Sequence, residues 1–135
     1  MTTDKPRSGG NWTEGRYRSF ITSILRGGSR RWAPIYSTKK KARVDRGKYR
    51  CAACDNIVPA TKVVKGKRVN NVFVDHINPV VDPSTGFTTW DDFIDRLFCE
   101  EDNLQVLCRT CHDNKTDREK QISKKRIDND RDPTL

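Results

Sequence analysis

Asn103-Leu-Gln-Val-Leu-Cys-Arg-Thr-Cys-His-Asp-Asn-Lys-Thr116 decides how the rest of the chain is read. A short apolar run leads into two cysteines, Cys108 and Cys111, and the next residue is His112. A basic, helix-compatible segment follows. Two cysteines cannot close a tetrahedral metal site, and one histidine cannot run a reaction, so the stretch demands partners. Upstream, Cys51 and Cys54 repeat the Cys-x-x-Cys spacing, and Asp75 and His76 stand together at the end of a β-branched run.

Two residues between cysteines let a tight knuckle aim both sulfurs at one ion, each at about 2.3 Å. Four thiolates leave no open position, which makes this an expected structural Zn2+ site built from Cys51, Cys54, Cys108 and Cys111. The remaining cysteine, Cys99, has no partner at ligand spacing and is expected to be a small buried hydrophobe after Phe98.

The chain has 135 residues, 33% apolar and 33% charged, with a formal net charge of +9. That allows one modest core, which a bound metal would help to stabilise. The charge is segregated. Residues 1–50 carry 14 Lys/Arg against 3 Asp/Glu, a net +11, whereas residues 51–135 carry 13 against 15, a net −2. A basic arm on a near-neutral domain points to a polyanion, with nucleic acid before an anionic membrane. No apolar run approaches the roughly 20 residues needed to cross a bilayer, and the polar first ten residues lack the apolar centre of a signal peptide. A cytoplasmic protein is expected, with reduced thiols free to bind metal.

Taken in order, residues 1–11 are expected to be a disordered lead-in and residues 12–48 a basic helical arm. Tyr17, Phe20, Ile21, Ile24 and Leu25 follow helical spacing, with Thr13 as N-cap and Gly27-Gly28 as stop. A second helix is expected near Pro34. Arg16, Arg18, Arg30, Arg31, Lys39, Lys40 and Lys41 are candidate phosphate contacts, interleaved with Trp32, Tyr36 and Tyr49. Residues 49–125 form the expected core domain. Thr61–Val64 and Val69–Val74 are expected to pair as one hairpin around Gly66, with Pro79 ending the second strand. Thr89 caps a helix over Trp90–Phe98, Glu100–Asn103 is loop and Gln105–Leu107 is strand. A last helix runs from about Arg109 to Lys125, and residues 126–135 are a flexible tail.

Asp75 and His76 leave a strand on opposite sides. The carboxylate can hold a hard cation while the imidazole polarises a water. Consecutive helical residues point about 100° apart, so His112 can face a second centre while Cys111 faces the zinc. Asp75 and His112, completed by water and phosphate oxygens, make a candidate divalent-metal site. Arg109 and Lys115 lie one turn to either side of His112 and suit a phosphate. Asn114 is a reserve ligand whose simpler reading is a solvated amide.

Asp75-His-Ile-Asn-Pro79, Asn103-Leu-Gln-Val-Leu-Cys108 and Cys111-His-Asp-Asn-Lys-Thr116 closely resemble the HNH endonucleases, in particular the zinc-containing type with two Cys-x-x-Cys pairs bracketing the core. The Trp90–Phe98 insertion and basic N-terminal arm resemble those of small, phage-encoded, free-standing enzymes of that family. The resemblance covers roughly residues 49–120. It implies an α+β fold: a ββα-metal core with a structural zinc site, here preceded by the basic helical N-terminal arm. It implies His76 as general base, Asn103 as the residue that constrains the loop and orients the base, and Asp75 and His112 as ligands of one catalytic divalent cation. Mg2+ or Mn2+ would serve, and Ni2+, Co2+ or Zn2+ would be tolerated. Double-stranded DNA is the implied substrate, and 5′-phosphate and 3′-hydroxyl ends the implied products. Two other readings use the same cysteines: a non-enzymatic zinc-containing nucleic-acid-binding module, and a zinc-knuckle protein-interaction domain in which the basic arm has no task.

Overall fold

A computed structural model describes residues 4–131. The chain divides into two compact units, one reaching to Trp32 and one starting at Ala33.

The first unit is built on helix α1, Glu14–Ser29, whose Thr13 cap accepts a hydrogen bond from the Arg16 amide at 3.1 Å. Of the lead-in expected to be disordered, residues 1–3 lie outside the described residues, and Arg7 bridges back to Trp12 through two backbone hydrogen bonds of 3.2 and 3.0 Å. Gly9 and Gly10, both at positive φ, allow that turn. The Arg7 guanidinium then lies 4.1 Å over the Tyr17 ring and pairs with Glu14, while Trp12 meets Phe20 edge-on at 5.1 Å. Gly27-Gly28 does not stop the helix. Neither glycine adopts the left-handed conformation that ends a helix, and α1 continues to Ser29.

The second unit opens with helix α2, Ala33–Ala42, which carries Lys39, Lys40 and Lys41 in its last turn. Strands β1, Arg43–Asp45, β2, Lys48–Arg50, and β3, Ile57–Pro59, form a small antiparallel sheet in that order. The sequence reading missed these three-residue strands, which are too short to show a period. Strands β4, Thr61–Val64, and β5, Lys67–Asn70, make an isolated hairpin. Strand β6, Val72–His76, is separate from it, contrary to the single strand expected over Val69–Val74. Asn71 makes the break. It is buried, its amide donates to Ala60 O, and its side chain donates to Pro59 O at 3.0 Å.

Helix α3, Trp90–Leu97, has the expected cap, with Thr89 accepting from the Asp92 amide at 3.1 Å. Phe93 and Leu97 are buried, but Ile94, expected on the same face, is exposed. Glu101–Asn103 is a 3-10 turn rather than plain loop. Strand β7, Leu104–Cys108, pairs antiparallel with β6 in the register Val72–Cys108 to His76–Leu104. Helix α4, Arg109–Arg131, follows with no intervening loop. It outruns the expected end at Lys125, so the part of the expected tail before residue 132 is helical; the rest lies outside the described residues. Cys51, Val72, Leu104, Val106, Leu107 and Cys108 are buried along this strand pair, with Val80, Phe93 and Leu97 contributing from the segment that joins them. The architecture is α+β, with small antiparallel sheets.

Candidate functional site

The β2–β3 turn carries the first Cys-x-x-Cys, and the β7–α4 junction carries the second. Asn56 O accepts from the Cys51 amide, and Cys51 O from the Asp55 amide, each at 2.9 Å. Asp55 takes the left-handed conformation at φ 64°, a role more often given to glycine. The Ala52 amide donates to Val106 O at 2.8 Å, which stitches the knuckle to β7. The four Sγ atoms consequently lie within 4.8 Å of one another, and Cys54 and Cys108 are 3.9 Å apart. A tetrahedral ion with 2.3 Å bonds needs sulfur–sulfur edges of about 3.8 Å. The cluster therefore fits a structural metal such as zinc.

Its electrostatics fit as well. Burial pushes the Cys51 thiol up, but N–H groups of Cys54, Cys108 and Ala53 outweigh this and bring it down to about 6. Cys111 goes the other way, to about 12, raised first by its hydrogen bond to Cys108 and then by burial. Burial also raises Cys108. Four crowded sulfurs cannot all ionise without a cation among them. Cys99 is half-buried rather than buried, and burial raises its thiol. It lines a groove of ≈ 460 Å³ with Asn78, Asp82, Arg96 and Asn103.

The second group assembles where β6 faces α4. Phe73 and Asp75 alternate onto one side of the strand. The Phe73 ring stacks on His112 at 4.4 Å and 18°, and Asp75 Oδ2 lies 3.2 Å from Lys115 Nζ. His112, Lys115 and Glu119 form one helical stripe. His112 Nδ1 is buried and has no hydrogen-bond partner; the Asp113 carboxylate stands off at 3.8 Å. Asp75 and His112 both stand where β6 faces α4, with Glu119 on the His112 stripe and Lys115 on the Asp75 carboxylate. Among the described residues, only the four cysteines bring three or more His, Cys, Asp or Glu groups together.

His76 leaves on the opposite side, as expected from the strand. Its Nε2 lies 3.0 Å from Leu97 O at the end of α3. A carbonyl only accepts, so Nε2 carries the hydrogen and Nδ1 keeps the lone pair. Asn103 closes the loop beyond His76. Its Oδ1 accepts from the Asn78 amide at 2.8 Å, its Nδ2 donates to Asn78 O at 3.2 Å, and its own carbonyl accepts from the Ile77 amide.

Lys115 and Arg109 have internal partners. Lys115 donates to His76 O at 3.0 Å and to Glu119 as well as meeting Asp75, and its side chain is 17% exposed. Arg109 donates to Asn70 O at 2.8 Å and lies 6.0 Å over Phe73. Both are braces between α4 and the strands. Lys115→Met, which keeps the apolar stem and removes the ammonium, should cost roughly 2–3 kcal/mol through lost charged hydrogen bonds. A thermal melt equal to the parent's would show that the brace does not matter.

The other candidate cations are variously engaged. Arg16 lies 4.7 Å over Trp12, Lys39 is 5.5 Å from the Tyr49 ring, and Lys41 pairs with Glu101 at 2.8 Å. Arg18, Arg30, Arg31 and Lys40 are exposed, and Asn114 is a solvated amide. The sequence reading missed Gln105, which donates to Asp75 Oδ2 at 3.1 Å, and Glu119. Glu119 could have been found as the i+4 partner of Lys115. Gln105 needed the β6–β7 register.

No protein-family model matches the chain, and neither does any curated protein or solved structure. No helix among the described residues is long and apolar enough to cross a membrane.

Proposed function

We propose that the chain is a metal-dependent endonuclease of the HNH type, hydrolysing phosphodiester bonds in double-stranded DNA around a structural zinc ion. The observation that carries this reading is the pair of opposed histidines on the two-strand-and-helix frame. His76 has a carbonyl-fixed tautomer, and His112 presents an orphaned buried nitrogen beside the strand of Asp75. An unpartnered buried nitrogen costs free energy unless something takes its lone pair or its proton. A ligated cation removes that cost.

In this mechanism His76 Nδ1 takes a proton from water as the water oxygen attacks phosphorus, and Nε2–H stays on Leu97 O throughout. The bond from phosphorus to the 3′ oxygen breaks, leaving a 5′-phosphate, and the 3′ oxygen is protonated from solvent. Asn103 holds residues 77–78 so that the imidazole does not drift. Asp75 and His112 would hold the catalytic divalent cation, which supplies Lewis-acid stabilisation of the leaving oxygen. Lys115, now paired with Asp75, has Glu119 as a second carboxylate to retain it.

One observation favours a second reading. The Lys115 ammonium already neutralises Asp75, as it would in a zinc-containing nucleic-acid-binding module with no catalytic ion. Supercoiled plasmid decides between them. The nuclease reading expects nicked or linear product with Mg2+ or Mn2+ and none without a divalent ion. Intact plasmid with Mg2+, Mn2+, Ni2+ and Co2+ in turn would end the nuclease reading, and duplex binding would then be what distinguishes the nucleic-acid-binding module.

A further inference from the structure

The β4–β5 hairpin belongs to neither the cysteine cluster nor the histidine frame. From Asn56 to Val74 the chain has no acidic residue, and within the hairpin lie Lys62, Lys65, Lys67 and Arg68, all exposed. The two strands pair only with each other. Val63, 60% exposed, and Val64 are uncovered on a ribbon of the kind that is marginal in water by itself.

The turn adds a separate sign. Lys65 and Gly66 are both left-handed, at φ 51° and 78°, as a two-residue type I′ hairpin requires. Glycine or asparagine suits the first position; a lysine there costs about 1–2 kcal/mol. That strain puts an ammonium at the apex. The base, by contrast, is firm. Asn71 bonds back to Pro59 and Ala60, and Arg109 holds Asn70 O.

Register sorts the side chains. Lys62 pairs with Val69 and Val64 with Lys67, so Lys62, Val64, Lys67 and Val69 share one face. Thr61, Val63, Arg68 and Asn70 share the other, and Arg68 donates to Thr61 across it at 2.9 Å. Cations therefore stand on both faces and at the tip. That arrangement is complementary to a groove walled by phosphates on both sides. The major groove of B-DNA admits a two-stranded ribbon, and the valines can meet thymine methyl groups on its floor.

We propose that the β4–β5 hairpin inserts into the major groove of duplex DNA, with Lys62 and Lys67 against one phosphate wall, Arg68 against the other and Lys65 at the leading edge. The choice of duplex DNA as the polyanion rests on the nuclease reading. Only four residues separate Asn70 from Asp75, so a seated hairpin would fix which stretch of duplex lies over the histidine frame.

The test is anisotropy of a labelled 30-bp duplex with full-length protein and no added divalent ion, titrated with KCl. The parent is compared with a combined Lys62→Thr, Lys65→Asn, Lys67→Thr, Arg68→Thr variant. Threonine keeps strand propensity, and asparagine relieves the turn, so the variant should melt with the parent. Losing the three wall contacts to phosphate should flatten the slope of log affinity against log salt by about 3. Guanine N7 protection from methylation in the major groove should vanish as well. A Lys120→Ser, Lys124→Ser variant on α4 controls for bulk charge. The hairpin proposal is overturned by an unchanged slope, by equal flattening per charge in the α4 control, or by no N7 protection with the parent. The plasmid assay separates the two readings. A parent that protects N7 through the hairpin yet leaves plasmid intact with every divalent ion keeps the hairpin and loses the nuclease. A parent that cuts, with a hairpin variant that binds and cuts equally well, does the reverse.

Discussion

Cys108→Ser is expected to abolish cooperative unfolding of the second unit, or to lower its melting temperature by tens of degrees. Cys51 and Cys108 are buried against Leu107, and the knuckle between β2 and β3 is stitched to β7 through Ala52. The ion is thus expected to stand in for apolar area that a chain of this composition lacks. Structural zinc contributes on the order of 10 kcal/mol or more of apparent binding energy at neutral pH, more than the whole stability of most small domains. Native protein should carry one zinc per chain by elemental analysis, and Cys99→Ser should leave both zinc content and melting unchanged. Competition against a chromogenic chelator should show affinity falling with pH. Binding needs thiolates, and Cys108 and Cys111, both raised, release protons when the ion enters. Below about 6, Cys51 must release one too, so the loss steepens there. A zinc-free native protein with an ordinary melt would end this account.

The other large effect is on rate. On the proposed nuclease reading, His76→Ala should lower plasmid cleavage by about 10²–10⁴-fold, the usual contribution of a positioned general base. His76→Gln is the sharper variant. Its amide can still donate to Leu97 O, so the local hydrogen bond survives while the basic nitrogen is gone. Equal loss in both, with parental melting and parental duplex affinity, assigns the effect to proton transfer. Partial recovery of the alanine variant by added imidazole would support the same atom. Cleavage that persists in either variant, with the metal requirement unchanged, removes His76 from the mechanism.

Much of this was legible before any coordinates. Cys-x-x-Cys spacing is a local property, and it brought all four sulfurs together. Strand alternation foretold that Asp75 and His76 would part company, and Thr13 and Thr89 announced their helices. What the sequence hid depends on long-range contacts. The β5–β6 break turns on Asn71 reaching Pro59, a contact across twelve residues. Three-residue strands have no period to detect. Lys115 and Arg109 suit a phosphate by their charge, but the carboxylates and carbonyls that each also meets depend on the fold and were hidden. The glycine pair in α1 was misread because glycine permits a left-handed cap without requiring one.

The clasp made by Asn103 has a consequence for how such a chain could change over generations. Because Asn103 ties itself to Ile77 and Asn78, the excursion between them leaves and re-enters the fold at one point. Its length can therefore drift without dragging β6 or β7 out of register. Three ties limit that freedom: Leu97 lends its carbonyl to His76, Arg126 of α4 donates to Pro83 O, and Glu101 pairs with Lys41. Insertions before α3 should be tolerated, whereas a shift of its last turn should misalign the imidazole. The replaceable part of the excursion is the exposed chain between those ties, whereas Val80, Phe93 and Leu97 are committed to the core.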